Sequence, residues 1–189
     1  PLFYAPNVSW LVQRNGMHPR HSLMISLNAS EGNHMHANGI SMELYGKGYV
    51  LGPDAGIGLY LYSGLDYAEY YSQFPSHNTV CVDGISSYPV MKSNHSFDLL
   101  SCFPASSAAA AAKDKFPSVT YSDVYFREPE SRADQTRMMS IVTTGPETGY
   151  YVDIFRSRKE RGGDKMHDYF YHNLGQEMTL TAADGTDLH

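Results

Sequence analysis

The segment Asn33-His34-Met35-His36-Ala37-Asn38 sets two imidazoles two residues apart. On an extended strand that spacing turns both rings to the same side. Asp54 stands eighteen residues after His36, inside Gly52-Pro53-Asp54-Ala55-Gly56, and His77 follows ahead of Asn78 and Thr79. Two neutral imidazoles and a carboxylate are a normal ligand set for a divalent ion, zinc first. Each residue also has a plainer role. His77 can cap the start of a strand, and Asp54 between Pro and Gly can close a turn. The residues by themselves leave both readings open.

For His36, Asp54 and His77 to meet, the chain must fold back between them, and its patterning says how. Leu23, Ile25 and Leu27 alternate with Met24, Ser26 and Asn28; Ile40, Met42 and Leu44 alternate with Ser41, Glu43 and Tyr45. Val80 and Val82 flank Cys81, Tyr150, Val152 and Ile154 alternate with Tyr151, Asp153 and Phe155, and Met178 and Leu180 close the series. Period two over short runs is the mark of half-buried strands. Between the runs lie Gly46-Lys47-Gly48, Gly52-Pro53-Asp54, Asp83-Gly84, Thr144-Gly145-Pro146 and Arg161-Gly162-Gly163-Asp164, all turn chemistries. Short strands with frequent turns predict an antiparallel β-sandwich. A hairpin from His36 through Gly46-Lys47-Gly48 to Asp54 would bring those two residues together. One stretch departs from the pattern: Ala108 to Ala112 after Ser106-Ser107 is helical by propensity, but too short to stand alone, and is read as a surface excursion. With no repeat and no strong linker, residues 1–189 are taken as one domain.

Composition narrows the function classes. Lys and Arg number 14 against 20 Asp and Glu, a net charge of −6, which opposes a nonspecific binder of nucleic acid or anionic membrane. Hydrophobic residues make up 42%, enough for a sizeable core, yet no apolar run is long enough for a membrane span. The opening PLFYAPNVSW has no charged, then apolar, leader pattern, and a start at Pro1 is expected of a processed chain or a fragment. Cys81 and Cys102 allow one disulfide without requiring it. Arg137, Arg156 and Arg158 are read as strand-pairing or solvated charges, His167, Asp168 and His172 as packing or hydrogen-bonding groups, and one of Tyr70 and Tyr71 as core.

The motifs together resemble a known family. Gly32-Asn33-His34-Met35-His36, Leu44-Tyr45-Gly46, Gly52-Pro53-Asp54-Ala55-Gly56, Tyr70-Tyr71 and His77-Asn78-Thr79-Val80-Cys81-Val82-Asp83-Gly84 occur in the order seen in heparinase II/III-like polysaccharide lyases. Asp153-Ile154-Phe155-Arg156, Gly162-Gly163 and His167-Asp168-Tyr169 resemble the sandwich core of that family. The resemblance implies an N-terminal (α/α) toroid paired with a C-terminal antiparallel β-sandwich, of which this chain holds the sandwich. It implies zinc, structural in role, held by His36, Asp54 and His77. It implies His34 facing the substrate cleft as a catalytic residue, with Asn33 beside it in contact with substrate. Within Gly58-Leu59-Tyr60-Leu61-Tyr62-Ser63-Gly64 it points to Tyr62 as a catalytic tyrosine, with Tyr60 as the alternate and as a substrate contact.

The implied reaction is β-elimination on a polysaccharide containing uronic acid, whether a glycosaminoglycan or alginate. A base removes the C5 proton and the C4–O bond breaks. Neutralising the adjacent carboxylate is what makes that proton acidic enough. An imidazole titrating near about 6.5 suits the base, whereas a tyrosine near about 10 is easier to defend as acid or donor. The expected partners are the anionic polysaccharide and the toroid of the same enzyme, with a secreted or periplasmic location because the polymer is too large to enter a cell intact. Two other readings use the same residues: a non-catalytic, metal-stabilised sandwich that binds carbohydrate, and a cupin-like metalloenzyme.

Overall fold

The computed structural model describes residues 1–31, 35–56, 58, 65–84, 95–104, 118–162, 165–175 and 177–188. Five strands form one antiparallel sheet in chain order: β1 (Leu2–Ala5), β2 (Trp10–Arg14), β3 (Leu23–Asn28), β4 (Ser41–Gly46) and β5 (Tyr49–Gly52). A second sheet holds β7 (Asp98–Phe103), β8 (Val119–Arg127), β9 (Asp134–Gly145) and β10 (Thr148–Arg158), again in sequential antiparallel order. A short pair, β6 (Val80–Val82) with β11 (His167–Tyr169), lies apart from both.

The two large sheets share one core, as the alternation predicts. Leu11, Leu23, Ile25, Leu27, Met42 and Leu44 from the first meet Val124, Phe126, Met139 and Ile141 from the second, all buried. Each such side chain contributes about 1.5–3 kcal/mol on burial. Buried Gln13 ties the layers together: its amide nitrogen donates to the Met139 carbonyl at 3.2 Å, and its oxygen accepts from Ser122 Oγ at 2.7 Å. The sequential order of both sheets differs from the interleaved Greek keys of a cupin jelly roll, so the cupin-like reading loses its architectural support.

The β4–β5 hairpin turns where Gly46-Lys47-Gly48 predicts. Gly46 pairs with Tyr49 across Lys47 and Gly48, whose φ angles are +58° and +85°. Two left-handed residues make the turn that matches the twist of the strands.

One expectation changes, and two open points are decided. Met178 and Leu180 lie in no strand and are 61% and 48% exposed, because no described sheet edge pairs with them. On β10 the core takes Tyr151 and Phe155, while Tyr150 and Ile154 face outward. Cys81 and Cys102 are not joined in a disulfide. The Ala108–Ala112 excursion lies outside the described residues. No helix among the described residues is long and apolar enough to cross a membrane.

Candidate functional site

His36 precedes β4 and Asp54 follows β5, so the hairpin returns the chain to the end of the sheet from which it left. His77 arrives from a tight turn at Phe74–Ser76, its N–H bonded to the Phe74 carbonyl at 3.0 Å. The three side chains meet. His77 Nδ1 lies 2.6 Å from Asp54 Oδ2, and the rings of His36 and His77 are 5.3 Å apart at 47°. Tyr67, from a π-helical turn at Tyr67–Tyr71, packs edge-on against His36 at 5.5 Å. Asp54 Oδ1 accepts the Gly56 N–H at 2.9 Å.

The electrostatics favour the neutral form of His36 and the ionised form of Asp54. Burial and the neighbouring His77 hold His36 below the usual histidine range, with Asp54 opposing. Burial alone would push Asp54 up. The hydrogen bond and charge of His77, the Gly56 N–H and His36 together outweigh it and hold the carboxyl below the usual range. His77 is 1% exposed, and its Nε2 is buried with no hydrogen-bond partner among the described residues. A buried polar nitrogen left unmade is costly, which marks a place for a further ligand. The cleft over the three is also lined by Glu31 and Glu43, and by no Lys or Arg among the described residues.

Two imidazoles and a carboxylate are a donor set that fits zinc. The side chains are not arranged as a ready coordination shell, however: no group of three His, Cys, Asp or Glu among the described residues is so placed. His77 and Asp54 meet each other directly instead.

The backbone behind the site is held by two residues that the sequence reading did not assign to it. Asn78 is fully buried, and its amide donates to the carbonyls of Met42 at 3.0 Å and Pro53 at 2.9 Å. It therefore ties the residue after His77 to the residue before Asp54. Arg137 is also fully buried, and all five of its donors are used. Nη1 reaches the carbonyls of Ile40 (2.8 Å) and Asn78 (2.6 Å), Nε and Nη2 grip both oxygens of Asp153 (3.0 and 2.7 Å), and Nη2 also meets the Tyr169 hydroxyl at 2.9 Å. The guanidinium lies over the rings of Phe155 and Tyr169, at 5.2 and 5.7 Å. Arg137 is thus neither a strand-pairing nor a solvated charge. The signal was its parity: it shares the inward row of β9 with Met139 and Ile141, where a charge must be compensated.

Gly39 completes the frame. Its φ is +55°, and a Cβ there would stand 2.8 Å from the Phe74 ring and 3.0 Å from Thr79 Oγ1. Among the remaining expected site residues, Asn33, His34, Tyr60 and Tyr62 lie outside the described residues. Tyr70 is 42% exposed and Tyr71 half-buried, so the core residue of that turn is Tyr67. His167 bonds Ser157 Oγ at 2.8 Å, and His172 contacts Asn78 Oδ1 through its backbone N–H at 2.5 Å, the structural roles expected of them.

Comparison with known proteins places the fold. An endo-acting ulvan lyase from Formosa agariphila is 30% identical over 163 residues, a span covering 82% of this chain and 20% of that enzyme. The chain therefore spans one-fifth of that relative's length. A heparinase III gene product has a similar fold, with a TM-score of 0.68 over 97% of this chain and 25% of its own, at 14% identity. Heparan sulfate lyase HepC from Pedobacter heparinus gives 0.62 over 87% of this chain and 23% of its own, at 16% identity. The model of the family described as heparinase II/III-like, C-terminal matches residues 3–152, a span that contains both large sheets up to the middle of β10 and all three of His36, Asp54 and His77. The chain belongs to the heparinase II/III-like C-terminal family.

Proposed function

We propose that this chain is the β-sandwich part of a lyase that cleaves a uronic-acid polysaccharide by β-elimination, and that His36, Asp54 and His77 hold a structural zinc ion in it. The observation that carries the reading is the convergence of those three residues, from three separate segments, in a chain of this family. Two further observations support the metal. The cleft is rimmed by Glu31, Glu43 and Asp54 with no Lys or Arg among the described residues, so a bound cation would offset a field otherwise hostile to a polyanion. Burial keeps His36 neutral, the form that ligates.

Zinc bound here would cross-link the three segments by Lewis-acid bonds. The chain's own residues do the rest. Asn78 and Arg137 fix the backbone just after His77, just before Asp54 and around the start of β4, so the segment leading from His36 is held by its carbonyls and not by the His36 side chain alone. His34, two residues before His36, is the base for the C5 proton in this reading, Tyr62 the acid to the leaving oxygen, and Asn33 and Tyr60 contacts to the sugar. A clamp at His36 limits where an imidazole two residues away can point.

Two variants test the proposal. His36→Ala is expected to lose bound zinc, measured by elemental analysis of the purified chain. His34→Ala is expected to keep the metal and, in the enzyme that carries this domain, to abolish the ultraviolet absorbance of the unsaturated uronate product. Unchanged zinc in the first, or full activity in the second, refutes the corresponding role.

A further inference from the structure

The outer face of the five-stranded sheet carries a groove of about 630 Å³. Strand register orders its side chains in rungs: Trp10 beside Asn28, Val12 beside Ser26 and Glu43, Arg14 beside Met24 and Tyr45. Asn28 and Glu43 also line the cleft of His36, Asp54 and His77, so groove and cleft share a wall.

Two features of the groove ask for a ligand. The first is Trp10, the one tryptophan of the chain, 43% exposed. Its indole N–H donates to Ser26 Oγ at 2.9 Å, and Phe3 packs edge-on against it at 5.8 Å, so the ring is held in place on the sheet. The second is Arg14, four residues further along the same strand, hence on the same face and about 13 Å away. Its Nε is buried without an acceptor, and its guanidinium enters no ion pair among the described residues. Glu43, the one carboxylate lining the groove, accepts from the Tyr45 hydroxyl instead. A buried donor on a charged group is expensive to leave unmade, so the groove is short of an anionic acceptor.

We propose that this groove is an anionic-glycan subsite, with a sugar ring resting on Trp10 and the acidic group of a nearby unit bound by Arg14. An immobilised aromatic face beside an uncompensated guanidinium selects a polymer with both apolar ring faces and spaced anions. Acidic polysaccharides have both; a neutral glycan lacks the anions. The assignment deepens the function proposed above and rests on it for direction: the polymer crosses Asn28 into the cleft of His36. It also supplies the positive charge that the acid-rimmed cleft lacks.

The fluorescence of the sole tryptophan reads the groove directly. The chain is titrated with an alginate hexasaccharide, with the same oligosaccharide after carboxyl reduction, and with a heparan sulfate hexasaccharide. A saturable change in Trp10 emission is expected with at least one acidic ligand; the stronger of the two identifies carboxylate or sulfate as the group bound. Arg14→Gln is expected to lose about tenfold or more in affinity, the worth of one charge-assisted hydrogen bond. Carboxyl reduction of alginate should cost as much on the unaltered protein if carboxylate is the group bound, a result that depends on no variant folding. His36→Ala should keep the Trp10 response, so unchanged zinc in that variant with the response intact counts against the metal site and not against the groove. No emission change at millimolar acidic ligand in a zinc-holding protein, or equal affinity in Arg14→Gln, overturns the subsite.

Discussion

Replacing Arg137 by Met tests the account of how the site is framed. The side chain is fully buried, and its removal strips partners from both Asp153 oxygens and from the carbonyls of Ile40 and Asn78. Breaking a buried ion pair from one side costs about 3–5 kcal/mol, chiefly because the other charge is stranded. Here two effects moderate the loss: the Asp153 side chain is 21% exposed, and it keeps the Tyr169 hydroxyl at 2.5 Å. The orphaned carbonyls act the other way, at roughly 1–3 kcal/mol each if water does not reach them. The net expectation is a loss of about 3–5 kcal/mol, a large share of the roughly 5–15 kcal/mol that holds a domain together. At about 2–4 °C per kcal/mol for a chain of this size, the melting temperature should fall by roughly 6–20 °C. Urea denaturation of four proteins gives the answer: unaltered, Arg137→Met, Asp153→Asn and the double variant. Removing the stranded charge should restore part of the loss, so the double variant should lie above Arg137→Met, with a coupling of about 1–3 kcal/mol between the two sites. A loss under about 1 kcal/mol, or a double variant no more stable than Arg137→Met, would show that the guanidinium does not hold this end of the sandwich together.

Two more outcomes follow from the geometry. Gly39→Ala forces a side chain into a left-handed backbone against the Phe74 ring, and should cost about 1–3 kcal/mol in chemical denaturation; a neutral result would mean that the loop before β4 shifts freely. Cys81 gives a pH dependence. Burial first, then Asp168 and Glu128, pushes its thiol up to about 11, whereas an unfolded thiol titrates near about 8.5. The unfolded chain therefore releases its proton first, and stability should fall as pH rises from about 8.5 toward 11. Tyr45 and Tyr151, each pushed up to about 12 mainly by burial, add to the loss above about 10, where unfolded tyrosine begins to ionise. Cys81→Ala should flatten the first part of that limb, between about 8.5 and 10, and an unchanged slope there would count against the buried thiol.

The fold was legible where one period ran without interruption. Leu23, Ile25 and Leu27 on β3 and Met42 and Leu44 on β4 face the core as their alternation requires, because a sheet buried on one face permits a single register. Lys47-Gly48 marked the hairpin, since few residue pairs tolerate two positive φ angles. On β10 both rows contain large side chains, so composition did not decide which faced inward. Arg137 did: Asp153 must turn toward it, and Tyr151 and Phe155 share Asp153's face. Met178 and Leu180 alternate like a strand, but pairing needs a free edge within reach, and alternation does not report one.

His36, Asp54 and His77 could be chosen from the sequence because imidazole and carboxylate are the groups that hold a divalent ion, and the hairpin between the first two follows from a turn and two strand lengths. Their meeting with His77 rests on Asn78 and Arg137, whose bonds reach carbonyls 36 and 97 residues away. Hydrogen bonds at such separations leave no local pattern, since any backbone carbonyl can accept. The same holds for Arg14: its place on β2 follows from alternation, but its lack of an acid is a property of every neighbour at once. Residue type and period therefore determined the layers and the candidate ligands, while the long-range satisfaction of buried polar groups, decided by packing, set what those ligands face.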